Sequence, residues 1–220
     1  NMTYGDASLT LGATASSGLP ITYTSSNTGV ATISGTTLTI VGAGTTTITA
    51  SQAGDANYAA AANVSQSLTI NPKQLTVSGV VALSKNYDGT TIATLDVTNA
   101  SLTGIVNGDL IGLSGNGIFS SANAGNGITV TGALNLTGTM ASSYDLQQPI
   151  LSADILQAPQ TIVFDPLANL AVGAAPFALT AIGGGSGNPI VFTSSNTSVI
   201  SINGNIATVV GPGTAVITAS

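Results

Sequence analysis

The side chains able to do chemistry are few: eight aspartates and two lysines, Lys73 and Lys85, with no histidine, cysteine, glutamate, arginine or tryptophan. Without histidine or cysteine the usual nucleophile–base couples and zinc ligand sets cannot be assembled. A hydrolase built on paired carboxylates needs aspartate alone. Yet Asp6, Asp55, Asp88, Asp109 and Asp165 each stand beside Gly, Asn or Pro. That is turn context, where the carboxylate bonds nearby backbone amides. The expectation is turns rather than catalysis, and no enzyme. Calcium takes several oxygen ligands from one loop. No DxDxDG run occurs, which leaves Asp88 and Asp109 as the carboxylates that could converge on a cation; no other cofactor is expected.

Lys85 carries two readings. A lysine buried in a β-sandwich beside asparagine and an acid can form an isopeptide cross-link, and the stretch 73–157 is rich in Asn and Asp. Alternatively it pairs with an aspartate next to the Tyr87–Asp88–Gly89 turn. Intact mass separates the two: loss of one ammonia or water marks the cross-link, and an unmodified mass ends it. Tyr58, Tyr87 and Tyr144 sit in GDANY, KNYDG and SSYDL. A tyrosine at a loop–strand junction can bury its ring and give its hydroxyl to backbone as a corner lock. The same residue can stack on sugar, but aromatics are only 4% of the chain, which supports no carbohydrate platform. Thr-rich faces such as 45–49 read as solvated strand faces rather than ice-binding arrays.

The elements that must position these residues are strands. Residues 20–51, PITYTSSNTGVATISGTTLTIVGAGTTTITAS, return at 189–220 as PIVFTSSNTSVISINGNIATVVGPGTAVITAS without a gap. Such self-similarity marks an array of like units. Within each copy apolar residues alternate with Thr or Ser, the period-two signature of half-buried antiparallel strands, and Gly, Asn and Ser clusters separate them. The first unit ends in a strand over 64–70. Pro72 and Ala158–Pro159 mark the boundaries, giving units 1–71, 72–157 and 158–220, and linkers this short make a semi-rigid string. In the middle unit, strands are expected at 91–97, 110–113, 118–120, 128–131, 134–136 and 150–155. Asn107–Gly108, Asn116–Gly117 and Asn126–Gly127 read as hairpin turns. The third unit opens with a strand at 161–164 that has no counterpart in the first, and lacks a match to the first unit's final strand. The expectation is that the polypeptide continues on both sides.

Charged residues make up 5% of the chain, against about 25% in ordinary globular proteins. The acidic balance and absence of arginine argue against nucleic acid, whose binding rests on cations neutralising phosphates. Despite the low charge, apolar residues do not run together. The longest stretch, 167–182, is broken by Gly173 and Pro176 and is short of the roughly 20 residues a helical span needs. The chain is read as not membrane-spanning.

Two families are resembled on these residues. SSNTGVATISGTTLTIVGAGTTTITASQAGDANYAAA at 25–61 and SSNTSVISINGNIATVVGPGTAVITAS at 194–220 resemble bacterial immunoglobulin-like repeats of the MBG and group 2 type. The middle unit resembles the YDG domain of giant adhesins through KNYDGTT at 85–91, LTGIVNGD at 102–109 and SSYDLQQPILSADI at 142–155. SANAGNG at 121–127 departs from that family, which tends to carry acidic and lysine residues there. The resemblance implies an all-β chain of tandem immunoglobulin-like β-sandwiches in an elongated array. It implies an extracellular place on the bacterial cell surface and work as a stalk or spacer of a large adhesin, of the gliding-motility or filament kind. Expected partners are neighbouring repeats, and cell-surface, abiotic or carbohydrate ligands. The reading set against it is a lectin-like module binding through loops at one end of a unit.

Overall fold

A computed structural model describes residues 1–106 and 108–220. The chain is all-β and divides into two compact units, Asn1–Gln157 and Ala158–Ser220.

The first unit opens with β1 (Met2–Thr3), β2 (Leu9–Thr10), β3 (Thr22–Ser25), β4 (Ala31–Ser34), β5 (Thr37–Ile40), β6 (Gly44–Ser51) and β7 (Val64–Asn71). These make a sheet of order β1-β7-β6-β3 and a second of order β2-β5-β4. Alternation decides which residues face inward: Ala31 and Leu38 of one sheet and Ile48 of the other are buried together, with Tyr23 and Leu68 against them.

Ten further strands complete this unit. They are β8 (Lys73–Ser78), β9 (Val81–Ala82), β10 (Lys85–Asn86), β11 (Ile92–Ala93), β12 (Leu95–Asp96), β13 (Ser101–Thr103), β14 (Gly112–Phe119), β15 (Gly125–Thr137), β16 (Tyr144–Leu146) and β17 (Ile150–Leu156). A five-stranded sheet of order β10-β17-β15-β14-β11 is joined by a three-stranded sheet, β13-β8-β16, and a pair, β12-β9. Phe119, Val130, Leu134 and Ile155 centre its main core.

At Pro72 β7 ends at Asn71 and β8 starts at Lys73; no sheet among the described residues holds strands from both sides, and Ile70 and Leu75 are buried in one cluster with Tyr4, Val30 and Tyr144. Three expectations differ here. Asn116–Gly117 is not a turn: Asn116 pairs with Ala133 and Gly117 with Gly132, midway along a continuous β14–β15 ladder. Glycine is needed there for closeness, since a Cβ on Gly117 would lie 2.6 Å from Val130 Cγ1 and 3.0 Å from Leu95 Cδ2. The expected strands 110–113 and 118–120 therefore fuse into β14, and 128–131 and 134–136 into β15. Asn126–Gly127 is not a hairpin turn either: it lies within β15 at a register shift between Gly125 and Ile128, where Gly127 has a φ of 59°. The Asn107–Gly108 turn falls on Asn107, outside the described residues.

The second unit contains β18 (Phe177–Ala178), β19 (Phe192–Ser194), β20 (Ile200–Asn203), β21 (Ile206–Val209) and β22 (Ile217–Ala219), as sheets β18-β21-β20 and β19-β22. Leu179, Phe192 and Ala207 are its buried centre. The opening segment 161–164 is held by a single antiparallel bridge, Val163 to Ile182, rather than a full strand.

Several turn bonds recur between the two copies of the repeat. In TSSNT the Ser26 hydroxyl accepts from Thr47 N at 2.9 Å, as Ser195 does from Val216 N at 2.8 Å. The Asn27 side chain accepts from Gly29 N at 3.0 Å, as Asn196 does from Ser198 N at 3.1 Å. In VGAGT and VGPGT the first glycine faces a carbonyl: a Cβ on Gly42 would lie 2.8 Å from Gly29 O, and on Gly211 2.9 Å from Ser198 O. Neither contact can relax cheaply, because the obstruction is backbone. Gly42→Ala is therefore expected to lower stability by about 1–3 kcal/mol. Gly12→Ala in the same repeat meets nothing within 4 Å and should be close to neutral. Chemical denaturation of the two variants beside the parent chain checks this, and equal midpoints would refute it.

Candidate functional site: a tyrosine–aspartate joint

The residues singled out for chemistry separate into distinct places. Lys85, in β10, lies with its Nζ 5.6 Å from the centre of the Phe119 ring. The ammonium donates to Asp88 Oδ1, Thr90 O and Thr90 Oγ1, each at 2.8 Å. Its acceptors are thus aspartate and threonine oxygens, with no asparagine side chain among them. Asp88 also accepts from Thr90 N and the Thr90 hydroxyl. These bonds, the Lys85 one foremost, bring its carboxyl down to about 2. The KNYDGTT word is a closed loop in which lysine, aspartate and threonine use up each other's bonding capacity.

Other aspartates do similar work locally. Asp55 Oδ1 accepts from Asn57 N and Tyr58 N, Asp6 Oδ2 from Thr3 N, Asp96 Oδ1 from Thr98 N, and Asp154 Oδ1 from Gly127 N. The Asp96 carboxyl is lowered by its bonds to Thr98. Among the described residues no group of three or more metal-ligating side chains gathers. Asp88 and Asp109, the candidate cation ligands, bond to separate partner sets.

Asp109 belongs to the feature that stands out. Its Oδ2 accepts from the Tyr4 hydroxyl at 2.9 Å and also from the Tyr144 hydroxyl. The Tyr144 oxygen in turn accepts from Val106 N at 2.8 Å. The rings of Tyr4 and Tyr144 meet edge to face, 5.3 Å between centroids and 88° between planes, a favoured aromatic arrangement. Both residues are buried, at 7% and 6% exposure.

Each partner comes from a different element. Tyr4 follows β1, which pairs in parallel with the end of β7. Val106 and Asp109 lie in the loop after β13. Tyr144 starts β16 directly after a 3₁₀ turn, Ala141–Ser143, and pairs in parallel with Lys73 of β8. The same turn supplies a second tie, because the buried Ser143 hydroxyl accepts from Ala43 N at 3.0 Å. The first repeat's VGAG loop is thereby fixed to the middle of the unit. Gly5 permits the close approach: its φ is 88°, and a Cβ there would lie 2.7 Å from Val106 Cγ2.

The corner-lock expectation placed three tyrosines alike, and the structure separates them. Tyr144 buries its ring and gives its hydroxyl the partners described above. Tyr58 and Tyr87 leave theirs 53% and 45% exposed. At Tyr58 the Asp55 carboxylate already organises the turn through backbone amides, and at Tyr87 the backbone N bonds Leu156 O; neither ring is needed to hold its loop. Tyr4 and Ser143 were not singled out from sequence. The signal available for Tyr4 was the Gly5–Asp6 turn just after it, which stops the chain and aims the preceding side chain inward.

The electrostatics follow from this geometry. Burial first, then the hydrogen bond to Asp109 and its charge, push Tyr4 up from 10.0 to about 12. Tyr144 is raised by the same leading causes. Both rings are therefore protonated in the folded chain at pH values where the unfolded chain loses those protons. The contribution of Tyr4 is intact below pH 10 and falls as the pH climbs from 10.0 towards about 12, and that of Tyr144 is likewise lost on the alkaline side.

Residues 71–151 match the family model of the YDG domain. No curated protein matches the chain.

Tyr144→Phe strands the Val106 amide as well as one bond to Asp109, so it is expected to cost about 1–3 kcal/mol; Tyr4→Phe, which removes one donor only, should cost about 0.5–1.5 kcal/mol. Paired with Asp109→Asn in double-mutant cycles, the losses should be non-additive, and the alkaline limb of the unfolding curve should flatten in both phenylalanine variants. Strictly additive losses would show that the three side chains do not act together.

Proposed function

We propose that this chain is a spacer segment of a large bacterial surface adhesin: immunoglobulin-like sandwich repeats flanking a YDG-type unit. Its work is mechanical, holding a terminal adhesive or motility-linked region away from the cell. The supporting observation is the joint. The first repeat and the YDG stretch share one buried cluster, crossed by the Tyr4–Asp109–Tyr144 bonds and the Ser143–Ala43 tie. A recognition module has little use for such a connection, whereas a spacer gains length and stiffness from it. Side chains that elsewhere carry chemistry are engaged here in loop and joint bonds, which fits the same reading. Partners on this view are neighbouring repeats, and the location is outside the cell.

Pulling the chain from its two ends tests the proposal. Two rupture events are expected, one for residues 1–157 and one for 158–220, and Tyr144→Phe should lower the force of the larger event or split it. Three independent events in the parent chain, or saturable binding on a glycan array with easy unfolding, would favour the lectin-like module instead.

A further inference from the structure

A cavity of about 570 Å³ lies in the first repeat between its two sheets, lined mainly by apolar side chains. It opens to solvent beside Leu9, 43% exposed, and Val64, 59% exposed. The third repeat shows what such a cavity holds.

The two repeats superpose through their strand pairing. Leu9 pairs with Leu38 in the first, and Phe177 pairs with Ala207, the counterpart of Leu38, in the third. The next bonds agree: Leu11 N donates to Thr36 O at 2.8 Å and Leu179 N to Asn205 O at 2.7 Å. Continuing along the chain, Ala13 corresponds to Ala181 and Thr14 to Ile182. In the third repeat Phe164 packs in the cluster of Leu179, Ala181, Ile190, Phe192, Ala207 and Ile217, its ring 5.5 Å from that of Phe192. The counterparts of those six residues, Leu11, Ala13, Ile21, Tyr23, Leu38 and Ile48, all line the cavity of the first repeat.

The backbone edge corresponds too. Val163 N donates to Ile182 O at 2.8 Å and Ile182 N to Val163 O at 2.9 Å. Thr14, in the place of Ile182, has its N–H and carbonyl unbonded among the described residues. The segment is nonetheless held in place from inside, because the Tyr23 hydroxyl accepts from Ala13 N at 2.7 Å. Phe192, its counterpart, has no hydroxyl to offer. The first repeat thus presents a tethered, unpaired backbone edge at Thr14 above an apolar cleft, the setting that strand addition needs. Holding the edge in advance lowers the ordering cost of binding.

We propose that this cleft is an acceptor site for an extended polypeptide strand of the kind found at residues 161–164, a run of β-branched residues ending in an aromatic ring. The strand bonds to Thr14 through its backbone and seats its ring against Tyr23, Leu38 and Ile48. The occupant is a separate segment rather than residues 161–164 of a second copy, since exchange between copies fills one cleft only by emptying another. The inference does not rest on the spacer reading.

A fluorescent peptide of residues 159–166, PQTIVFDP, added to the full chain tests it. Saturable binding is expected, with new hydrogen-exchange protection at residues 13–15. A peptide with Phe164→Asp, and one N-methylated at the valine, should each bind at least about tenfold more weakly, because one loses the buried ring and the other the backbone donor. Altering the peptide leaves the protein's own folding untouched. No binding at millimolar peptide, equal binding of all three peptides, or protection appearing at 181–183 instead would overturn the site. A concentration-dependent dimer abolished by Phe164→Asp in the chain would overturn the choice of occupant in favour of a second copy.

Discussion

One carboxylate receiving two tyrosine hydroxyls beside an apolar cluster is the constraint on which the larger unit rests. A buried tyrosine hydroxyl left without an acceptor costs about 1–3 kcal/mol. Tyr4 and Tyr144 therefore both depend on Asp109, itself half-buried, to accept from them. Since they come from three distant stretches, that shared dependence fixes β1, the loop after β13 and the start of β16 together. Apolar burial among Ile70, Leu75 and Val30 supplies the bulk of the attraction, and the polar trio supplies its geometry.

The same arrangement explains why a proline in the expected place does not make a hinge. Pro72 offers no amide to a ladder, which reads as a break in sequence. Here its neighbours are strands on either side, each laddered within its own stretch, β7 with β1 and β8 with β16. What crosses the boundary is the cluster of Tyr4, Val30 and Ile70 with Leu75 and Tyr144, and the bonds Tyr4–Asp109 and Ala43–Ser143. Contacts between segments so far apart leave no trace in local periodicity, so they cannot be seen from the residues around the proline. The all-β class and the repeat were legible because alternation and turn words are local. Strand ends in the duplicated stretch were legible for the same reason. The middle stretch was harder, since Asn–Gly is a turn signal only where the backbone reverses. At Gly117 the glycine answers to Val130 and Leu95 across the core, which no neighbour in sequence reveals.

Among site residues, Asp88 and Lys85 were legible as a local turn pair, three residues apart. Asp109 was visible as a notable carboxylate, but its partners are 105 and 35 residues away. Its role belongs to the assembled fold. Tyrosines in similar-looking words behave differently for the same reason: Tyr144 meets a carboxylate and an amide brought from elsewhere, while at Tyr58 an aspartate three positions earlier has already bonded the backbone.

The duplicated stretch gives a direct comparison of what sequence and neighbours each contribute. β4 and β5 match β20 and β21 in length and register, residue for residue. β6, by contrast, runs for eight residues and its counterpart β22 for three. The glycine–threonine pair that opens β6, Gly44–Thr45, recurs as Gly213–Thr214 ahead of β22. What differs is that β6 is paired along one side with β7 from Gly44 to Ala50 and along the other with β3, whereas β22 is paired with β19 alone. A strand this rich in threonine and glycine gains order from each ladder it joins, and with one ladder its first half is left without regular pairing. The repeat sequences specify turns and inward faces, while the extent of each strand is set by what lies beside it.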